Sequence, residues 1–399
     1  KTRYADGSVC HALLSLKAPA LAEGGDLPVM LSRGNGAATA PPLALAEELK
    51  RGYDLSLEFK LPGGETKVVK VAPLLSEALE HHTEKFWLHG PLASEVRLDT
   101  PVTSTLHAWF DLRADADGQT RTDVIVTYDG TYTVRMHNIV YDVAIRSGGK
   151  TLEAYDRLNH NHHANCRRTF WSGTAPTIDV ARDVEYLVRT GAVPALDTSI
   201  RISTKQIAQD FAKLQTVDTK PMGAAINLKY MPQTGQTDGE NVGLMTNWQV
   251  KYMLSQDPRA EAVMLANANA AGSIPWHFRD EQTGLPITID RHPHLRISDR
   301  GPVGPDVLPE PYNAKETGWD PDSAHLPPLT YLPYLLTGDH YYLDEVQFDP
   351  AFHLAAYTPE LRGGNKGWLN TNRYNQVRGV AWVFRAMAEL RAASASSFL

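Results

Sequence analysis

Through the first half of the chain, apolar and polar positions alternate in short runs separated by turn signals. "SVCHALLSLKA", "YDLSLEFKLPGGETKVVKVA", "EKFWLHG" and "ASEVRLDT" come first. "VTSTLHAWFDLRAD", "TRTDVIVTYD", "TYTVRMHNIVYDVAIRSG", "KTLEAYDRLNHNHHANCRRTFW" and "APTIDVARDV" follow. Period-2 runs of this length, bounded by DG, PGG, YDG and SGGK, predict strands and hairpins. Alternation is clearest at Thr131–Met136, where Tyr132, Val134 and Met136 share one face, which predicts a sandwich strand with that face buried. "PPLALAEELKRG" alone interrupts the β pattern as a helix.

After about residue 200 the period lengthens to that of helices. "STKQIAQDFAKLQ" predicts a helix capped by Ser203 or Thr204. Two helical runs meet at Asp257-Pro258, with Pro258 suited to a first turn. A proline- and histidine-rich loop spans Ile274 to about Asp322, and a further helical pair covers residues 325–358. "NQVRGVAWVFRAMAELRAA" predicts a closing helix. Small residues at the expected crossings suggest stacked αα-hairpins.

A chain of 399 residues exceeds one ordinary core, so more than one domain is expected. Apolar content of 42% and charged content of 21% fit a soluble globular protein. Net charge is −7 with no basic block, which argues against nucleic acid. No apolar run reaches the ~18 residues that a membrane span requires. The chain opens at Lys1 without Met or a signal-peptide pattern, which reads as a removed leader or an incomplete N-terminus. Cys10 and Cys166 allow one disulfide at most and read as two buried thiols. The pattern leaves the oligomeric state open.

The stretch "RLNHNHHANCRRTFWSG" concentrates polar chemistry. As one strand it would put His160, His162, Cys166 and Arg168 on one face. Asn161, His163, Asn165 and Arg167 would lie on the other. Two histidines at i and i+2 chelate a metal only with a third ligand from elsewhere, and neighbouring arginines oppose a cation. A polar wall beside a sugar cleft, with Arg167 and Trp171 near it, and a solvated or interface strand are the other readings.

Trp276, His277, Arg279 and Asp280 stand together at a helix–loop boundary. They offer an aromatic platform, a base, a forked cation and a carboxylate, the mixture that sugar binding requires. A surface loop held by its own ion pairs explains them equally well. His325 precedes a helix whose first turn Pro327 and Pro328 would fill, and the positive helix end would favour a neutral imidazole. Tyr331 and Tyr334 share one face, as core packing or as chemistry. "KGWLNTNRYNQVRG" supplies Asn370, Asn372, Arg373 and Arg378, suited to a carboxylate or to a capped, solvated loop.

Several patches carry a family resemblance. "TRYADGSVCHALLSL" and "FWLHGPLASEVRLDT" resemble the N-terminal RIFT-type barrel of exo-rhamnogalacturonan-lyase-like proteins. "HHANCRRTFWSG" with "VEYLVRTGAVPALD" looks like that family's sandwich-to-toroid junction. "AHLPPLTYLPYLLTGDHYYLDEVQF" and "NQVRGVAWVFRAMAEL" resemble its α/α-toroid helices. The resemblance implies a multidomain β-then-α chain: a RIFT-like barrel over residues 1–100, a β-sandwich over 101–200 and a toroid-like helical domain over 201–399. Roughly six helices are legible, fewer than a closed toroid uses, which indicates a shortened toroid or a chain that continues past Leu399.

The function implied is a polysaccharide lyase that cleaves an acidic polysaccharide by β-elimination, in a secreted or extracellular setting and with no cofactor. His277 or His325 would be the base and Tyr331 the acid, since a tyrosine–histidine pair is common in toroid lyases. Arg279 and Arg373 would clamp the carboxylate, with Arg167, Trp171, Trp276, Asp280 and Asn372 lining the substrate. Two alternatives stay open. A glycoside hydrolase needs two carboxylates roughly 5–10 Å apart, for which Asp280, Glu281 and Asp290 are available. A non-catalytic glycan-binding, extracellular or virion protein needs no such pair.

Overall fold

A computed structural model describes residues 2–3, 8–22, 24–30, 40–216, 242–298, 304–310, 314–319, 321–365 and 377–394. A short antiparallel pair, β1 (Thr2–Arg3) and β2 (Val9–His11), opens the chain. The β-rich half then builds two antiparallel sheets. The first holds β3 (Ser56–Lys60), β4 (Thr66–Lys70), β9 (Ile139–Ser147) and β10 (Lys150–His160), in the order β10-β9-β3-β4. The second holds β5 (Lys85–His89), β6 (Ala93–Pro101), β7 (Leu106–Asp115), β8 (Thr120–Tyr128) and β11 (Ala164–Trp171), in the order β11-β8-β7-β6-β5. One apolar cluster joins them: Leu57, Phe59, Val143 and Ile145 from the first sheet meet Val96, Leu98, Phe110, Leu112, Val124 and Val126 from the second.

This pairing replaces the expected barrel. Among the described residues no sheet closes on itself, and strands from both sides of residue 100 share both sheets. Leu57 and Phe59 of β3 pair with Ile145 and Val143 of β9, across more than eighty residues of chain. Three local expectations also change. Thr131–Met136 is a turn, not a strand: Thr133 N–H donates to Gly130 O at 2.6 Å, Arg135 sits at φ 53° and Val134 is exposed. Residues 175–183 form no strand. Val71 and Ala72, read as the end of a β run, instead open helix α2 (Val71–His81), which buries Val71 and Leu75 against the same cluster. Its β-branched start masked a 3.6-residue pattern. The helix predicted around residues 41–52 is the short α1 (Ala46–Lys50).

The helical half begins with α3 (Val184–Arg189) and α4 (Thr204–Leu214), the latter capped by Ser203 as its sequence predicts. The hairpin α5 (Asn247–Ser255) and α6 (Pro258–Ala270) turns at Asp257, with Pro258 at the first helical position. Thr246 and Gln249 form a reciprocal capping box on α5. After α7 (Ala314–Thr317) come α8 (Tyr331–Thr337), α9 (His340–Ala356) and α10 (Val377–Ala393). The predicted first turn at Pro327 and Pro328 is displaced: these prolines precede the helix, and Pro333 lies in its first turn. Trp248, Met264, Ile274, Trp276, Phe278, Leu326, Phe348 and Phe352 form the helical core. A third cluster, including Ile125 of β8 with Tyr334, Tyr341, Tyr342 and Val346, joins the helices to the second sheet.

Candidate functional site

The second sheet has two different faces. Strand alternation turns Val96, Leu98, Phe110, Val124 and Cys166 into the apolar core, and Cys166 is a buried free thiol. The opposite face carries Glu95 and Arg97 of β6, Asp111 and Arg113 of β7, Arg121 and Asp123 of β8, and Arg167 of β11. Register aligns them in rows: Arg97 opposes Asp111, Asp111 opposes Asp123, and Arg113 opposes Arg121. An alternating strand of this composition reads as polar and solvated. Here α9 covers it. Arg97 forks onto Asp111 at 2.6 and 2.7 Å and reaches Asp344 of α9. Arg121 forks onto Asp339 with two 2.7 Å bonds, and Arg167 adds another of 2.7 Å. Burial works against the charge on Asp339, but Arg121 and Arg167 outweigh it and hold this carboxyl well below the ordinary range.

Arg167 is therefore an interior brace rather than a surface clamp. It also binds Asp123 at 2.8 Å and Asn269 at 3.2 Å, with its guanidinium 4.7 and 4.9 Å from the Tyr341 and Tyr342 ring centres. Trp171 lies half-buried at the end of edge strand β11.

The histidine–asparagine stretch is two strands in different sheets, not one. β10 ends at His160, and the turn at 161–163 crosses to β11, with His163 at φ 49°. The expected division into faces fails at that crossover. His160 lies between the Tyr141 hydroxyl at 2.8 Å and the Ala164 carbonyl at 3.0 Å, and burial pushes it down to about 4. Asn161 donates to the carbonyls of Ser273 and Thr317, and the His163 ring packs tilted against Phe278 with ring centres 4.3 Å apart. The turn thus ties the sheets to the loop after α6. Among the described residues no group of three or more His, Cys, Asp or Glu is disposed to hold a metal.

In the segment after α6, Trp276 and His277 are buried. His277 Nδ1 faces the carbonyls of His163 and Ile274 at 3.0 and 2.9 Å, so it carries a proton. Nε2 faces both Glu345 oxygens at 3.0 and 2.9 Å, so a second proton is shared there. Glu345 in turn accepts from Asn165, which accepts from Thr127. His277 is a link in a network between β8, β11 and α9, with no exposed surface. Arg279 is held between the rings of Trp109 and Phe348, 4.7 Å from each centre, and donates to Gly284 O at 2.8 Å. Asp280 caps its own turn through Gln282 and Thr283 N–H and takes His292 at 3.1 Å. Both Asp280 oxygens are occupied by this loop.

His325 has a different setting. It lies in the 3₁₀ turn Ser323–His325, capped by Asp322, whose Oδ1 accepts from Ala324 N–H at 2.9 Å. Its Nδ1 meets Asp322 Oδ2 at 2.5 Å and its Nε2 meets Arg378 Nη2 at 3.2 Å. A guanidinium only donates, so Nε2 is the acceptor and the ring proton sits on Nδ1, toward Asp322. Arg378 stands in the first turn of α10, where the helix end adds positive potential. Ser323 Oγ lies 3.1 Å from the Tyr357 hydroxyl. Gly379 lets α10 come this close: a Cβ there would lie 2.8 Å from Ser323 Oγ and 3.3 Å from the Tyr357 hydroxyl.

Asp322, Ser323, His325, Tyr357 and Arg378 thus converge from three separate segments. Tyr331 does not join them: its hydroxyl donates to Ala192 O at 2.9 Å. Asn372 and Arg373, with Asn370, lie outside the described residues. Tyr357 carries no sequence signal beyond its place where α9 stops, two residues before Pro359. Comparisons with protein-family models, with curated proteins and with solved structures give no match to this chain.

Proposed function

We propose that this protein is a carbohydrate-active enzyme of lyase type, acting on an acidic polysaccharide by β-elimination at the His325 turn. The observation that carries the reading is the Asp322–His325–Arg378 line, with Tyr357 beside it through Ser323. β-Elimination at a uronate needs a cation for the carboxylate, a base for the proton on the adjacent carbon and an acid for the departing oxygen. Arg378, backed by the α10 end, suits the carboxylate. When a substrate carboxylate draws Arg378 away, His325 Nε2 regains its lone pair while Asp322 keeps the ring oriented. As the proton moves to Nε2, a carbon–carbon double bond forms, the glycosidic C–O bond breaks, and Tyr357 supplies the leaving oxygen's proton. The β-then-α order of the chain is compatible with the sandwich and toroid that the resemblance implies. A secreted or extracellular setting belongs to the same reading.

The test is incubation with a panel of acidic polysaccharides, following ultraviolet absorbance and reducing ends together. A rise in both, lost in H325A and strongly reduced in R378A, is expected. Reducing ends without absorbance point to a hydrolase. Binding without either signal points to a non-catalytic glycan-binding protein.

A further inference from the structure

Behind the His325 turn, α9 and α10 face each other with ionisable groups. On α9, His353 follows Asp349 by one turn, with Nε2 3.8 Å from Oδ1. On α10, Glu389 follows Arg385 by one turn, with Oε1 3.7 Å from Nε. Both separations exceed a hydrogen bond. The four side chains are between 1% and 14% exposed. Arg385 is thus the cation nearest Glu389, and its charge also acts on Asp349 across the helix pair, yet its terminal nitrogens are engaged elsewhere. Nη1 donates to Gly243 O at 2.6 Å, and Nη2 donates to Leu326 O at 2.9 Å. Leu326 is the residue that follows His325. Arg385 therefore ties α10 to the backbone that carries the proposed base.

The charges around this tie come from three elements. Burial pushes Asp349 up to about 8 and Glu389 up to about 7, against the opposing pull of Arg385. Glu345, one turn earlier on α9, raises Asp349 further. Burial pushes His353 down to about 3, with Asp322 of the 3₁₀ turn acting in the other direction. While both carboxyls are protonated, Arg385 has only carbonyls to bind. Once both ionise, their negative charges compete with the neutral carbonyls for the guanidinium by direct attraction at low local dielectric, Glu389 from 3.7 Å.

We propose that Arg385 is a strap on the His325 turn, fastened to Leu326 while Asp349 and Glu389 hold protons and drawn away as they ionise. Arg385 is then a positioning residue, acting on His325 through the Leu326 carbonyl. Its effect on catalysis rests on the lyase reading; the strap itself is measured without substrate.

Trp382 reports on it, because the Arg385 guanidinium lies 5.3 Å from that ring centre. The Trp382 emission of the full chain, taken as wild type minus W382F, is recorded from about pH 5 to about pH 9. A transition near neutrality is expected, absent from D349N/E389Q, which mimics the protonated pair and keeps the low-pH emission throughout. Hydrogen exchange at 326–332, corrected for intrinsic pH dependence, should quicken several-fold across the same range in wild type. Flat emission and unchanged exchange in the folded wild type overturn the strap. So does a transition that survives in D349N/E389Q, or in E389Q alone if the double variant does not fold. A strap transition in a protein inactive on every polysaccharide overturns the lyase reading and leaves the strap standing.

Discussion

Asp339→Asn probes the covered face of the second sheet. The Asp339 side chain is 8% exposed and accepts a fork from Arg121 and one bond from Arg167. Asparagine keeps the shape and removes the charge. Two guanidiniums are then left sharing Asp123. Removing one member of a buried ion pair costs about 3–5 kcal/mol, because the remaining charge stays in a medium that solvates it poorly. With two cations left behind, about 4 kcal/mol is expected. Unfolding entropy of about 2 cal/mol/K per residue, summed over a chain of 399 residues, gives about 0.8 kcal/mol/K and a Tm lower by about 5 °C. Urea unfolding and calorimetry at neutral pH measure it. D339N/R167M removes a cation with the anion, leaves Arg121 balanced by Asp123, and should recover about half of the loss. The depressed Asp339 pKa supplies a sign check. Its stabilisation is present above the unfolded value of about 4 and is lost as pH falls through the lower folded value, so wild type and D339N converge in strong acid. A loss under about 1 kcal/mol, typical of an exposed pair, would refute the argument, as would strict additivity of D339N and R167M.

The His160 pKa, lowered to about 4 by burial, makes the folded state lose up to about 3 kcal/mol as pH falls from about 6.5 to below 4, so H160Q should flatten the acid limb of the stability–pH curve. Gly379→Ala places a Cβ 2.8 Å from Ser323 Oγ; a stability loss of about 1–3 kcal/mol is expected. Any activity should drop with it, as kcat rather than KM if the Ser323–Tyr357 contact matters to chemistry. Arg362 is buried and donates to the carbonyls of Leu354, Tyr357, Pro293 and Leu295. R362M strands those acceptors at about 1–3 kcal/mol each, and hydrogen exchange should quicken at 293–296 and at the end of α9.

Much of the local structure is legible from residue order alone. Ser203, Asp257-Pro258 and the pattern of residues 204–214 and 377–393 place helix ends and faces, because caps and periodicity act within a few residues. The strand runs from Leu106 to Tyr128 are equally plain, since alternation is a local property. His325 and Arg378 stand out by residue type, but nothing local brings them together across fifty residues.

What only the tertiary structure decided is which polar face is covered and which partners each histidine meets. Arg97, Asp111, Arg121 and Arg167 alternate like any solvated strand face until α9 lays Asp339 and Asp344 across them. His277 and His325 look alike in sequence. One lies between carbonyls and Glu345, while the other is oriented by Asp322 toward Arg378 of α10. The difference lies in contacts between segments far apart in the chain. A residue's desolvation and its partners are set by those contacts, whereas its propensity for helix or strand is set by its neighbours in sequence.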